Sequence, residues 1–140
     1  MEPSGQNRPP DASYPPEYLQ GIALFNAGDY FEAHEAWESL WLSSSGSERI
    51  FFQGLIQLAA AMHHYSHGHY GAARRMYEKA RSRLGQVPSP FLDLDLTALI
   101  EQFDEVFSYD VAERQRSGLR ANVQPRLSLI PSRSSDSPRS

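Results

Sequence analysis

The sequence predicts an all-α protein, a compact five-helix bundle with a disordered tail at each end. Three observations lead there. Apolar side chains recur at helical spacing in five successive stretches, and short runs of Gly, Pro and Ser separate those stretches. One stretch, Ile50 to Met62, is apolar on nearly every side, which places it at the centre of a helical domain. With 140 residues, 40% of them hydrophobic, the chain can build one domain with a real core.

Residues 1–14 form a polar, proline-rich leader without the apolar centre of a signal peptide. Pro15 and Pro16 open the first helix, where a missing N–H has no helical partner to lose. That helix, Pro16 to Ala27, shows Tyr18, Leu19, Ile22, Leu24 and Phe25, and Gly28 ends it. Asp29 is expected to cap the second helix through its side chain, with Glu32 completing a capping box. The second helix runs to Leu42. SSSGS at 43–47 is a short turn, so helices two and three should be antiparallel neighbours. Ser47 is the expected cap of the third helix, Glu48 to Ser66.

His67 and Gly68 punctuate. His69 to Leu84 is a fourth, amphipathic helix, with Tyr70, Ala73, Tyr77, Ala80 and Leu84 facing inward. Its Arg74, Arg75, Lys79, Arg81 and Arg83 should face water. A proline-broken linker follows, and Asp93 or Asp95 caps a fifth helix through Phe107. Residues 15–110 thus make the domain, and the Arg/Ser/Pro-rich residues 111–140 read as a disordered tail.

An internal repeat runs through this layout. G-x-Y-x-x-A-x-x-x-aromatic-E occurs at Gly28–Glu38 and again at Gly68–Glu78. The pattern resembles the second half of a tetratricopeptide helical hairpin, in which small residues let paired helices approach closely. Two such units are fewer than the roughly three that a free solenoid needs, which favours a compact bundle with two tetratricopeptide-like hairpins.

Composition excludes several chemistries. The absence of cysteine removes disulfides, thiolate zinc sites and cysteine nucleophiles. The net charge of −4 is uneven: the helical part is acidic and the six arginines after residue 111 make the tail basic. An acidic body argues against a nucleic-acid-binding core. The longest apolar run, Gly54 to Met62, falls far short of the about 20 residues a membrane span takes. These features together predict a soluble cytoplasmic protein. There is also no phosphate loop, dinucleotide fingerprint or nucleophile elbow.

Candidate function concentrates on residues 28–42, GDYFEAHEAWESLWL. Phe31, His34, Glu38 and Trp41 fall on one helical stripe beside a second of Tyr30, Ala33, Trp37 and Leu40. A solvated helix would set its carboxylates opposite its tryptophans, and this one does not. On the facing helix the polar residues are Gln53 and Gln57, one turn apart, with His64 continuing that face. In an antiparallel pair the numbers of facing residues add to a constant, and His34 with Gln57 shares its total with Glu38 and Gln53. The four therefore meet in matched pairs.

Two readings of that meeting stand side by side. In the first, a binding or scaffold module, the four groups hydrogen-bond one another as a buried network that sets the bundle's register. The groove between helices two and three, with His64 at its base and Trp41, Gln53 and Gln57 as further binding candidates, then takes a peptide, a partner protein or a small molecule. In the second, His34 with Glu35 or Glu38 supplies acid and base, or His34 and Glu38 bind a divalent metal, in a hydrolase-like enzyme. HEAWE lacks the second histidine of an H-E-x-x-H zinc motif. Oligomeric state is left open.

The motifs also carry a resemblance. FNAGDYFEAHEAWESLW, then FFQGLIQLAAAMHH, then G-x-Y-x-x-A-x-x-x-Y-x-x-A is similar to the prokaryotic and plastid family called domain of unknown function 309. Its hallmarks are an E-A-H-E-x-x-E-x-x-W helix followed by a Q-G-L-I-Q helix. The resemblance covers residues 17–85. It implies a small all-helical bundle, maps the family motif positions onto His34, Glu35, Glu38, Trp41, Gln53 and Gln57, and implies no particular activity.

Overall fold

The computed structural model describes residues 14–108 and 124–131. Within them the chain forms α1 (Pro16–Asn26), α2 (Tyr30–Ser43), α3 (Gly46–Ser66), α4 (Tyr70–Leu84) and α5 (Leu96–Val106). All five expected helices are present. Central α3 lies between α2 and α4, and Phe51, Phe52, Leu55, Leu58, Ala59, Ala61 and Met62 of α3 are buried. No helix among the described residues is long and apolar enough to cross a membrane.

Helix starts differ from expectation. Asp29 precedes α2 but its side chain makes no capping bond. Its backbone instead joins the two helices: Asp29 N donates to Leu24 O at the end of α1 (2.8 Å), and Asp29 O accepts the first helical bond of α2 from Ala33 N (3.0 Å). Ser47 lies inside the first turn of α3, which begins at Gly46 after an extended Ser45 and has no side-chain cap. Of the two aspartates offered for α5, Asp95 is the cap, accepting from Ala98 N at 3.1 Å. Ser89 Oγ joins it by accepting from Leu96 N at 2.9 Å.

The sequence repeat is a structural repeat. Gly28 (φ 88°) and Gly68 (φ 80°) both occupy the left-handed region, where a side chain would be strained. The bonds of the Gly28 turn recur around Gly68 as His69 N to His64 O (2.9 Å) and Ala73 N to His69 O (2.9 Å). The repeated small residues Ala33 and Ala73 are fully buried, and the aromatics Trp37 and Tyr77 are buried with them. The α1–α2 and α3–α4 hairpins therefore turn by the same device. At Gly54, α3 and α4 approach so closely that a Cβ would stand 2.6 Å from Leu84 Cδ2.

Helix α5 packs through aromatics. Phe103 lies 6.1 Å from Phe25 and 5.4 Å from Tyr77, with Phe107 stacked on Tyr77 at 5.1 Å. Arg74, expected in water, donates instead to Phe107 O and closes the end of α5. Arg81 and Asp104 form an ion pair at 3.1 Å, which holds the Asp104 carboxyl below the usual range.

The expectation of a disordered tail does not hold for residues 124–131. Leu127 is buried in the core. Its backbone is gripped by the Asn26 amide, which donates to Leu127 O (2.8 Å) and accepts from Leu127 N (2.9 Å). Gln102 does the same for Arg126, at 2.9 and 3.0 Å. Ile130 N donates to Asp93 O at 2.7 Å. Side-chain amides thus satisfy an extended backbone that has no sheet to join. The rest of the expected leader and tail lies outside the described residues.

Thermal unfolding and proteolysis test these contacts. Gly54→Ala should cost about 1–3 kcal/mol by overpacking against Leu84. Gly71→Ala, a helical position with no non-local atom nearer than 3.6 Å, should instead stabilise by about 0.5–1 kcal/mol. Leu127→Ala should cost about 2–4 kcal/mol. Asn26→Ala should speed tryptic cleavage after Arg126, because it releases the backbone of the next residue.

Candidate functional site

One cavity gathers the sequence-predicted residues. It holds about 270 Å³ and lies where α2, α3 and α4 meet. Helix α2 contributes His34, Glu38 and Trp41; α3 contributes Gln53, Ile56, Gln57 and Ala60; Met76 of α4 completes the wall. His34, Glu38, Gln53 and Gln57, which the sequence paired by their totals, all line this one space. The His34 and Glu38 side chains are 30% and 50% exposed and form the mouth.

The expected register network is not made. His34 Nδ1 stands 3.9 Å from Glu38 Oε1, beyond hydrogen-bond length. His34 Nδ1, Gln57 Oε1 and Trp41 Nε1 are each buried without a hydrogen-bond partner. These three atoms all belong to residues of the cavity wall.

Trp41 is fixed by a residue that sequence reasoning missed. The Arg49 guanidinium lies 4.0 Å over the Trp41 ring. Arg49 Nη1 also donates to the carbonyls of Trp41 (3.1 Å) and Ser44 (3.3 Å), closing the end of α2. Its signal was available, since Arg49 precedes Gln53 by one turn on the same α3 face. Ile56 and Ala60 were missed too, although they follow Gln53 at i+3 and i+7. Met76 had no such local signal, because only the packing of α4 brings it to the wall.

Other candidates fall elsewhere. Glu35 is exposed on α2 and lies outside the cavity wall. His64 also lies outside it, where the α3–α4 turn folds back, its ring 6.2 Å from that of His69. His63 is the histidine nearer α2: its ring is 6.0 Å from Phe31, which stacks on His34 at 6.2 Å. Burial, with His67 and His64 nearby, holds the His63 imidazole below its ordinary pKa. His67 and His69 are exposed turn residues. Among the described residues no group of three or more His, Asp or Glu side chains is disposed to hold a metal ion. The His34–Glu38 pair thus gains no third ligand of those types from a second helix.

Two larger concavities carry less chemistry. One of about 450 Å³ lies between the end of α4 and α5, but its Ser89, Arg81 and Asp104 are already hydrogen-bonded. Another of about 510 Å³ runs along the outer, charged face of α4. Unpartnered polar atoms distinguish the smaller cavity from both.

Comparison with known proteins gives this cavity a wider setting. A family model described as domain of unknown function (DUF309) matches residues 18–76, a span that contains every residue of the cavity wall. Uncharacterized protein YpuF of Bacillus subtilis (strain 168) is 30% identical over 108 residues, covering 69% of this chain and 62% of its own length. An uncharacterized protein of Aquifex aeolicus (strain VF5) is 26% identical over 83 residues, 59% of this chain. The match spans only 25% of that relative, so this chain corresponds to part of each. The crystal structure of the conserved hypothetical protein TTHA0068 from Thermus thermophilus superposes with a TM-score of 0.59 at 35% identity. That match covers 67% of this chain and 98% of the other. Motifs, helical architecture and matched span agree, and the chain belongs to the DUF309 family.

Proposed function

We propose that this domain is a binding module and that the cavity between α2, α3 and α4 takes a small ligand. The observation that carries the reading is that three residues of one cavity wall, His34, Trp41 and Gln57, each hold a buried polar atom with no hydrogen-bond partner in the chain. Each such atom costs about 1–3 kcal/mol when left unmet. A wall serving only to hold the bundle together would be more stable with hydrocarbon at these positions. A site keeps them because a ligand supplies the missing partners.

Size supports a small ligand. Ligand pockets run from about 300 Å³ upward, and a cavity of about 270 Å³ lies just below that range, with room only for a small molecule. Ile56, Ala60 and Met76 offer an apolar wall and the polar atoms offer orientation. The wall contains no hydroxyl, thiol or amine nucleophile, so a hydrolase-like reaction would rest on His34 and Glu38 alone. Binding asks less of this geometry.

Thermal unfolding of two variants tests the reading. Gln57→Leu should raise stability by about 1–2 kcal/mol, because it removes an unmet acceptor while keeping the side chain's bulk. His34→Ala should change stability by less than about 1 kcal/mol, since no hydrogen-bonded partner is orphaned. Losses of about 1–3 kcal/mol in both would instead indicate an internal register network.

In a fragment screen followed by ¹H–¹⁵N NMR, binders should shift the Trp41 indole N–H. The Trp37 indole should stay still, because it is buried and donates to Tyr18 O at 3.3 Å. Ala60→Leu, which fills the cavity, should abolish those shifts. Shifts that survive it would place binding elsewhere.

A further inference from the structure

Residues 124–131 lie against the helical body as an extended peptide lies in a receptor. Pro125 and Leu127 are buried and Leu129 is partly buried, while Arg126, Ser128 and Ile130 are exposed. That alternation belongs to a strand-like segment read on one face. Its backbone is read as well. Asn26 takes both the N–H and the C=O of Leu127, and Gln102 takes both from Arg126. Asp93 O accepts from Ile130 N, and Leu94 pairs with Leu129. Pro125, in the first pocket, has no N–H to satisfy. In this mode of recognition backbone bonds give affinity and pockets for alternate side chains give specificity.

The body sets these partners by its own contacts. Asn26 ends α1 and Gln102 lies in α5. Leu92 (φ 45°) and Asp93 (φ 62°) both occupy the left-handed region, which costs a residue that carries a side chain. Tyr18 OH donates to Leu92 O at 2.9 Å, and Tyr14 OH donates to the Asp93 carboxylate. Phe91 and Leu94 exchange backbone bonds at 3.0 and 2.9 Å. None of these holding bonds involves residues 124–131, so the strained turn offers Asp93 O on the body's account alone. Strain of this kind clusters at ligand clamps.

We propose that the groove between the end of α1, α5 and the 91–94 turn is a recognition site for an extended peptide of pattern P-x-L-x-L. The chain's own residues 124–131 hold it as a tethered competitor, and the partner is a protein that displays such a stretch. The seated segment shows what fits: apolar side chains at alternate positions, with the residues between them free to vary. The groove shares no residue with the cavity between α2, α3 and α4, and stands or falls separately from it.

The experiment is a fluorescence-anisotropy titration of the full chain with a labelled, end-capped peptide of residues 124–131. Wild type is compared with two variants that undock the chain's own segment, Leu127→Asp and Arg126→Pro. The second removes the N–H that Gln102 accepts and leaves the core leucine in place. Each variant should bind the peptide at least about tenfold more tightly than wild type, because a tethered segment competes at an effective concentration on the order of millimolar. The peptide should also return the Asn26 and Gln102 side-chain amide signals of the variants to their wild-type positions in ¹H–¹⁵N spectra. Peptide carrying Leu127→Asp should not bind, and peptide carrying Arg126→Ala should bind as well as the parent. Adding Gln102→Ala to either variant should weaken binding at least about fivefold.

Wild type binding as tightly as the variants would overturn the proposal, since the peptide would then sit outside the groove. Folded variants that ignore the peptide would overturn it as well, because the contacts would then work only within one chain. Loss of folding in both variants would also overturn it, since residues 124–131 would then be part of the fold rather than a ligand of it.

Discussion

A helix that is apolar on every side cannot lie on a protein surface, and α3 obliges the rest of the domain to cover it. Helices α2 and α4 flank it, and at Gly54 the cover is so close that Leu84 leaves no room for a single methyl group. Coverage is incomplete along one face, the row that carries Gln53, Ile56, Gln57 and Ala60. There α2 and α4 stand apart, and the gap is the cavity. The two glutamines of an otherwise apolar helix therefore mark the place where its neighbours do not meet.

Two hairpins of one design make this arrangement possible. A left-handed glycine and the same two backbone bonds recur at Gly28 and Gly68, so α1 lies against α2 much as α3 lies against α4. Because the turns are made by backbone bonds, the residues beside the glycines are free to differ, and Asp29 in one hairpin is His69 in the other. The hairpins carry different chemistry on the same frame. His34 and Glu38 in α2 correspond to Arg74 and Glu78 in α4, and only the first pair borders the cavity. Arg74 is committed to the carbonyl of Phe107.

Much of this was legible in the chain itself, for reasons that differ from residue to residue. The helices followed from periodicity, because burial of one face needs apolar residues at 3.6-residue spacing. That His34, Glu38, Gln53 and Gln57 share one cavity wall followed from one short turn and the antiparallel pairing it enforces. What those groups do there did not follow, because a difference of an ångström separates a hydrogen bond from a gap and no sequence pattern encodes it. His64 lay on the predicted face but not in the cavity, since the α3–α4 turn claims that end of the helix. The C-terminal segment escaped for another reason. L-S-L in a run of Arg, Ser and Pro is too short to show a period, and its partners are the single amides of Asn26 and Gln102, remote in sequence. Long-range pairing of that kind leaves no local trace. The caps of α2 and α3 failed similarly, since neither Asp29 nor Ser47 makes the side-chain bond its type suggested, whereas Asp95 makes it at α5.

The balance between stability and use decides how the cavity is to be understood. Native domains are stable by only about 5–15 kcal/mol, and a buried polar atom costs about 1–3 kcal/mol wherever neither solvent nor a ligand reaches it, so three such atoms on one wall matter to that margin. A single hydrocarbon at Gln57 would recover part of it without disturbing the helices. Arg49 meanwhile commits a cation–π contact and two carbonyl bonds to holding Trp41 in place. A residue held rigidly with its one donor unmet is preorganised for something that is not part of the chain. The same logic separates this cavity from the larger one beside α5, where Ser89 and Asp104 already have partners and nothing is held in readiness.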